Sequence, residues 1–167
     1  MKRTIVTIVA ILLVLISCTS EGNTTKEQQS EVMVFNLADD ADKKKFSSLQ
    51  LDKTHLNMLD PSTAKESHKE ALKSWTDIHY GLNEFLKKEQ FDWGVKSERI
   101  KIFNKIYFQK DGHVKYYVYG IHTDVPAESK AAFGKLAQQF FTTEKISLTR
   151  DVDFAQCGKA SLLNSNI

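Results

Sequence analysis

The chain is expected to fold as an α+β domain: an antiparallel sheet built round a central hairpin at about 99–122, with two amphipathic helices at about 63–89 and 126–142 docked on it as a two-layer sandwich. Three observations predict this class. Two runs rich in Ile, Val, Phe and Tyr flank Lys110-Asp111-Gly112, a hairpin turn signal. Apolar residues before and after that hairpin recur at steps of three and four, the helical period. Finally, 41% hydrophobic and 10% aromatic residues are enough to build a core without disulfides.

The elements follow in order. Glu31 to Leu37 is a short β-prone run and a first strand, while Ala38 to Lys45 is charged and solvated. Phe46 to Leu59 carries scattered apolar residues and no assignable period. Asp60-Pro61-Ser62 reads as a helix start, because Pro is pre-organised for the first helical position. From Thr63 to Glu89 the stripe Ala71, Leu72, Trp75, Ile78, Leu82, Phe85 and Leu86 makes a core-facing helix, its other face filled by Lys and Glu. Arg99 to Gln109 and His113 to His122 form the hairpin, with Gly112 in the left-handed position of a three-residue loop. The preferred register pairs Phe108 with Val114, Ile106 with Tyr116 and Asn104 with Val118. Asp124-Val125-Pro126 opens the second helix, whose inner face carries Ala132, Phe133, Leu136, Ala137 and Phe140. Lys145 to Thr149 is a last short strand, and the remainder to Ile167 is irregular.

The N-terminus carries an address. Met1-Lys2-Arg3 precedes an apolar run from Ile5 to Ile16, interrupted only by Thr7. That run is roughly 12 residues against the about 20 a spanning helix needs, so it reads as an export signal, not an anchor. Leu15-Ile16-Ser17-Cys18 resembles the lipobox of bacterial lipoproteins. The resemblance implies cleavage between Ser17 and Cys18, a diacylglyceryl group on the Cys18 thiol, and acyl chains that hold the protein to a membrane. It further implies an exported protein on the cell membrane or outer membrane, periplasmic or surface-facing, and Thr19 in place of Asp fits the outer membrane. The organisation expected is therefore a signal over 1–17, a polar tether over 18–30 and one domain over 31–167.

Two further resemblances concern the domain itself. Phe154-Ala155-Gln156-Cys157-Gly158 resembles the C-terminal part of uncharacterised Bacteroidetes lipoproteins, which implies lineage and no activity. Ile100 to Leu148 is similar to the C-terminal domain of TonB-type proteins in its order of hairpin, helix and strand, carried by Phe108-Gln109-Lys110-Asp111-Gly112-His113-Val114. The Trp-x-Pro segment of that family is missing, so only the order of elements is implied.

Charge excludes one class of partner. Formal charge is +2, and both excess cations, Lys2 and Arg3, lie in the signal, so the domain is balanced and lacks the footprint of a nucleic-acid binder. No cofactor motif is present: Gly158-Lys159 lacks the Gly and Ser/Thr of a phosphate loop. The five histidines show no metal-binding pair, and His68 and His79 would stand roughly 16 Å apart along one helix. Asp39-Asp40-Asp42 sits in a solvated stretch with nothing to raise a carboxyl pKa.

Two candidates for function remain. One face of the expected hairpin carries Phe103, Lys105, Tyr107, Lys115, Tyr117 and Tyr119, a mix of rings and cations suited to a protein, peptide or glycan ligand. Cys157 is the one thiol left after lipidation, a candidate nucleophile or redox thiol if a nearby cation lowers its pKa; Lys159 is close in sequence. The leading expectation is a non-enzymatic, membrane-anchored domain that binds or scaffolds an envelope component through its hairpin face or an open sheet edge. The alternatives are an immunity- or inhibitor-type lipoprotein and a thiol enzyme.

Overall fold

The computed structural model describes residues 31–165, so the expected signal over 1–17, the expected lipid attachment at Cys18 and the expected tether over 18–30 lie outside the described residues. The domain is α+β. Its elements are β1 (Met33–Asn36), α1 (Asp40–Leu49), β2 (Leu56–Asn57), α2 (Pro61–Ala64), α3 (His68–Lys88), β3 (Arg99–Phe108), β4 (Val114–Ile121), α4 (Ala127–Thr143) and β5 (Phe154–Leu163). The five strands form one sheet in the order β1-β4-β3-β5-β2.

The sheet expected to be antiparallel is mixed. The central pairs β3–β4 and β3–β5 are antiparallel, but both edge strands run parallel to their neighbours. The final strand also lies elsewhere than expected: β5 occupies the stretch read as irregular, while Lys145 to Thr149 contributes a single bridge from Lys145 to His113. Ile146 and Leu148 alternate inward like strand residues because this segment crosses the hairpin tip. There the Ile146 N–H donates to the Gly112 carbonyl and the Arg150 N–H to that of Lys110. Gly112 has φ of +94°, and a Cβ there would lie 2.4 Å from the Ile146 carbonyl oxygen, so both the turn and the crossing require glycine.

The helices form where the apolar period placed them, with sharper starts. The Asp60 side chain caps α2 by accepting from the Ser62 N–H, and Pro61 takes the first helical position. A 3-10 turn then leads into α3, and Leu72 of the expected stripe proves exposed. Ala71, Ile78, Leu82 and Leu86 of α3 join Phe133, Ala137, Phe140 and Phe141 of α4 over one face of the sheet. Burying each of those phenylalanines contributes about 1.5–3 kcal/mol. Phe91 and Trp93 close this core beside Phe133, with ring centroids 6.4 and 5.0 Å from it.

A second, smaller cluster lies on the other face. Phe35, Leu51, Tyr107, Val118 and Ala155 pack with Met33, Leu37, Phe46 and Tyr116 beneath α1 and the 3-10 turn Leu51–Lys53. The charged run after β1 is therefore a helix, capped by Asp39 and solvated on its outer side, with Phe46 directed inward. It covers part of a sheet face that a two-layer arrangement leaves bare.

The hairpin register changes after its first pair. Phe108 faces Val114 as expected, but a bulge inserts Lys115, so Tyr107 pairs with Tyr116, Ile106 with Tyr117 and Asn104 with Tyr119. Each side chain of β4 beyond the bulge lies on the opposite face from the one the unbulged register gives it.

Candidate functional site

The bulge dismantles the expected aromatic face. Tyr117 and Tyr119 point under α4 and are buried, with ring centroids 5.7 Å apart; the Tyr117 ring lies 4.2 Å from that of Phe141. Tyr107 is buried on the other face, under Phe46 and edge-on to the His55 ring. Phe103 and Lys105 keep one face and stay partly accessible. Lys115 stands apart from them at the bulge, its ammonium 5.7 Å from the Tyr116 ring and 3.8 Å from Asp153. The three tyrosines are thus core residues, and the six do not form one surface.

Tyr117 anchors a buried polar chain. Its hydroxyl donates to Asn104 Oδ1 at 2.6 Å, Asn104 Nδ2 donates to His79 Nε2 at 2.8 Å, and His79 Nδ1 donates to the Trp75 carbonyl at 2.7 Å. Burial pushes the His79 pKa below its usual value, only partly offset by the bond to Trp75, so the ring is neutral and both of its nitrogens are matched. Burial likewise raises the Tyr119 phenol to about 12. This chain ties α3 to the centre of the sheet and offers no group to a ligand.

The surroundings of Cys157 are better defined than its neighbours in sequence suggest. It sits mid-strand in β5, opposite Lys105 of β3, and Gly158 is likewise a strand residue, not a turn. Lys105 donates to Asp52 Oδ2, and the Tyr107 hydroxyl donates to Asp52 Oδ1 at 2.7 Å. Burial opposes ionisation of Asp52, but these two hydrogen bonds outweigh it and hold the carboxyl below its ordinary range. For the thiol the balance is reversed. Burial raises the Cys157 pKa, the Asp52 charge adds to that, and Lys105 offsets only part of it. The cation that acts on the thiol is Lys105, across the ladder, and not the expected Lys159, and Lys105 is engaged by a carboxylate. The arrangement clasps the 3-10 turn to the sheet and leaves the sulfur a protonated thiol at neutral pH.

The other half of this face is open. Lys101, Phe103 and Lys105 alternate to one side of β3, and the register sets Ser161, Lys159 and Cys157 beside them. His122 adjoins the same row, its N–H donating to the Lys101 carbonyl at 2.9 Å. Lys101, Lys159, His122, Ser161 and Arg99 are all exposed. A shallow depression of about 480 Å³ is lined by Lys101, Ile102, His122, Lys159, Ala160 and Ser161. Among the described residues no carboxylate lies within ion-pair distance of Lys101, Lys159 or Arg99. Such a surface carries unpaired positive charge beside the Phe103 ring.

Sequence reasoning reached Phe103 and Lys105 through the hairpin but missed the grouping of Lys101, His122 and Ser161 with them, and it weighed Lys159 only beside the thiol and against a phosphate loop. The signal available was parity: Lys101 shares its side of the strand with Phe103. Among the described residues no cluster of three His, Cys, Asp or Glu is placed to hold a metal ion, and no helix is long and apolar enough to cross a membrane. Compared with family models, curated proteins and solved structures, the chain matches none.

Proposed function

We propose that the protein is a lipid-anchored envelope lipoprotein whose domain is a binding module, without chemistry of its own, for an anionic ligand. The observation that carries this reading is the open half of the sheet, where Lys159 lies beside Phe103 and Lys101, His122 and Arg99 extend the same exposed row, none with a carboxylate at ion-pair distance among the described residues. Clustered cations of one sign raise the encounter rate with a negative partner, and an aromatic ring supplies apolar contact. At this end the sheet has helices behind it and the proposed ligand in front. The lipobox Leu15-Ile16-Ser17-Cys18 supports the anchor, which restricts the search to partners at the membrane. An immunity or inhibitor role is the same reading with a toxin or enzyme as the ligand.

The test compares capture of envelope components by the full chain in detergent with capture by Lys101→Glu and Phe103→Ser. The reading expects one set of components to be lost from both variants and from the wild type at high salt. Identical capture by all three proteins refutes it. Mass spectrometry of the membrane-extracted protein checks the anchor: the reading expects an acylated Cys18 as the first residue.

A further inference from the structure

The outer edge of β5 is unoccupied over most of its length. β2 pairs only with Phe154 and Ala155, the first two positions. Just beyond, the Cys157 N–H donates to the Asn57 side chain at 3.1 Å; at the far end the Leu163 N–H donates to the Asn83 side chain at 2.8 Å. These two amides establish which residues of β5 face outward: 157, 159, 161 and 163. Between the two asparagines, the N–H and C=O of Lys159 and of Ser161 have no partner among the described residues. The bracket runs six residue steps from Cys157 to Leu163, about 20 Å at the rise of an extended strand. Two-residue β2 thus begins a position in the sheet that it does not fill.

We propose that this edge takes up an extended acidic peptide segment of a partner protein as a further strand, in line with β2. The inference rests on the open-face reading above and specifies its ligand. An added strand would satisfy both groups of Lys159 and of Ser161, four backbone hydrogen bonds, in the manner of strand addition to an exposed sheet edge. Side chains opposite Lys159 and Ser161 would turn toward the open face, where Lys159 itself and Lys101 on the next strand carry unpaired positive charge. Those positions suit Asp or Glu. The intervening side chains would turn to the helix face beside Gly158. A Cβ on Gly158 would lie 3.3 Å from Trp75 Cζ2, so the indole lies close to the strand there and an apolar residue can pack on it. The recognised pattern is therefore acidic and apolar residues in alternation.

Charge also argues against the other obvious occupant, a second copy of this chain. Two β5 edges paired about a two-fold axis would bring Lys159 near its own mate, with Lys101 behind each, and facing like charges destabilise a strand pair. A lysine on an exposed edge is a usual guard against self-association; here it also selects the sign of a guest.

The probe is a blocked eight-residue peptide alternating glutamate and valine, titrated against the full chain in detergent. Its controls are the same peptide with lysine for glutamate and one N-methylated at alternate backbone amides, which removes strand donors without altering the protein. Expected are binding at least ten-fold tighter than either control, at least ten-fold weakening by Lys159→Glu, and slowed hydrogen exchange at the Lys159 and Ser161 amides. Equal binding of the N-methylated peptide overturns strand addition while the open-face reading stands. No binding of the acidic peptide, with capture by the wild type still lost in Lys101→Glu, does the same. Loss of that capture difference as well brings down the face reading on its own test. A dimer in sedimentation, with both amides already protected without peptide, overturns the proposal in favour of self-pairing.

Discussion

Replacing Tyr117 by Phe removes one oxygen from the centre of the domain and separates core from surface roles for the tyrosines. The ring keeps its contacts with Phe141 and Tyr119, so no cavity beyond a hydroxyl is created. What is lost is the 2.6 Å bond to Asn104 Oδ1, and that oxygen belongs to a side chain with no solvent exposure. Leaving a buried acceptor unmatched costs about 1–3 kcal/mol. The short distance and the two further links to His79 and Trp75 favour the upper part of that range. For a domain of this size, each kcal/mol corresponds to about 2–4 °C in Tm. The drop expected is therefore about 4–8 °C for a loss of about 2 kcal/mol. Thermal unfolding measures the drop, and urea denaturation followed by tryptophan fluorescence measures the free-energy loss, with the midpoint lowered and the slope unchanged. Tyr119→Phe is the control, because that hydroxyl donates to the Lys130 carbonyl at a longer 3.1 Å from a partly buried site, and its loss should cost less. A Tyr117→Phe protein as stable as the wild type would mean that the polar chain is not formed. A variant stable but defective in ligand capture would return Tyr117 to the binding surface.

Three other perturbations probe the rest of the argument. Cys157 should react with iodoacetamide more slowly at neutral pH than a free cysteine, and urea should abolish the difference; rapid labelling of the native protein would revive the thiol-enzyme reading. Gly112→Ala should destabilise by about 1–3 kcal/mol through its positive φ and the carbonyl in its way, and an unchanged denaturation midpoint would remove the hairpin-tip crossing. His79 has a folded pKa below its ordinary 6.5, so the unfolded chain takes up its proton first as pH falls. Its contribution is full above pH 6.5 and declines below, by up to about 1.4 kcal/mol per pH unit, until the folded pKa is passed. A His79→Gln protein should show a flatter stability profile just below pH 6.5, and an identical slope there would show that the ring is not held neutral.

The helices and the hairpin were legible because each announces itself locally. The apolar steps of α3 and α4, Pro61 behind its Asp60 cap, and Gly112 in its turn are features within a few residues of one another. β5 was not legible for the opposite reason. Its core-facing side presents Phe154, Gln156, Gly158, Ala160 and Leu162, and three of those five have little strand preference. Gln156 belongs in the core only because its amide donates to the Ala71 carbonyl and the Ser74 hydroxyl, partners more than 80 residues away. Gly158 belongs there because Trp75 takes the space of a side chain. Both reasons are tertiary. Lys145 to Thr149 misled in the reverse sense: alternating burial of Ile146 and Leu148 imitates a strand, yet its partners are the carbonyls of a turn.

The bulge at Lys115 decides what the surface can be. Without it, Tyr117 and Tyr119 would stand on the side of Lys105, and the sheet would display the aromatic and basic face expected of it. With it, both rings enter the helix-side core, where hydroxyl partners await them in Asn104 and the Lys130 carbonyl. Tyr116 and Val118 take the other side and pack with Phe35 and Tyr107 beneath α1. That half of the sheet is thereby committed to the fold. The half beyond α1, with Lys101, Phe103, Lys159 and His122, and the β5 edge that borders it are left uncommitted, and the proposed recognition falls there. One inserted residue in β4 thus separates the tyrosines, which are buried in the core, from Lys101 and Lys159, which stay exposed.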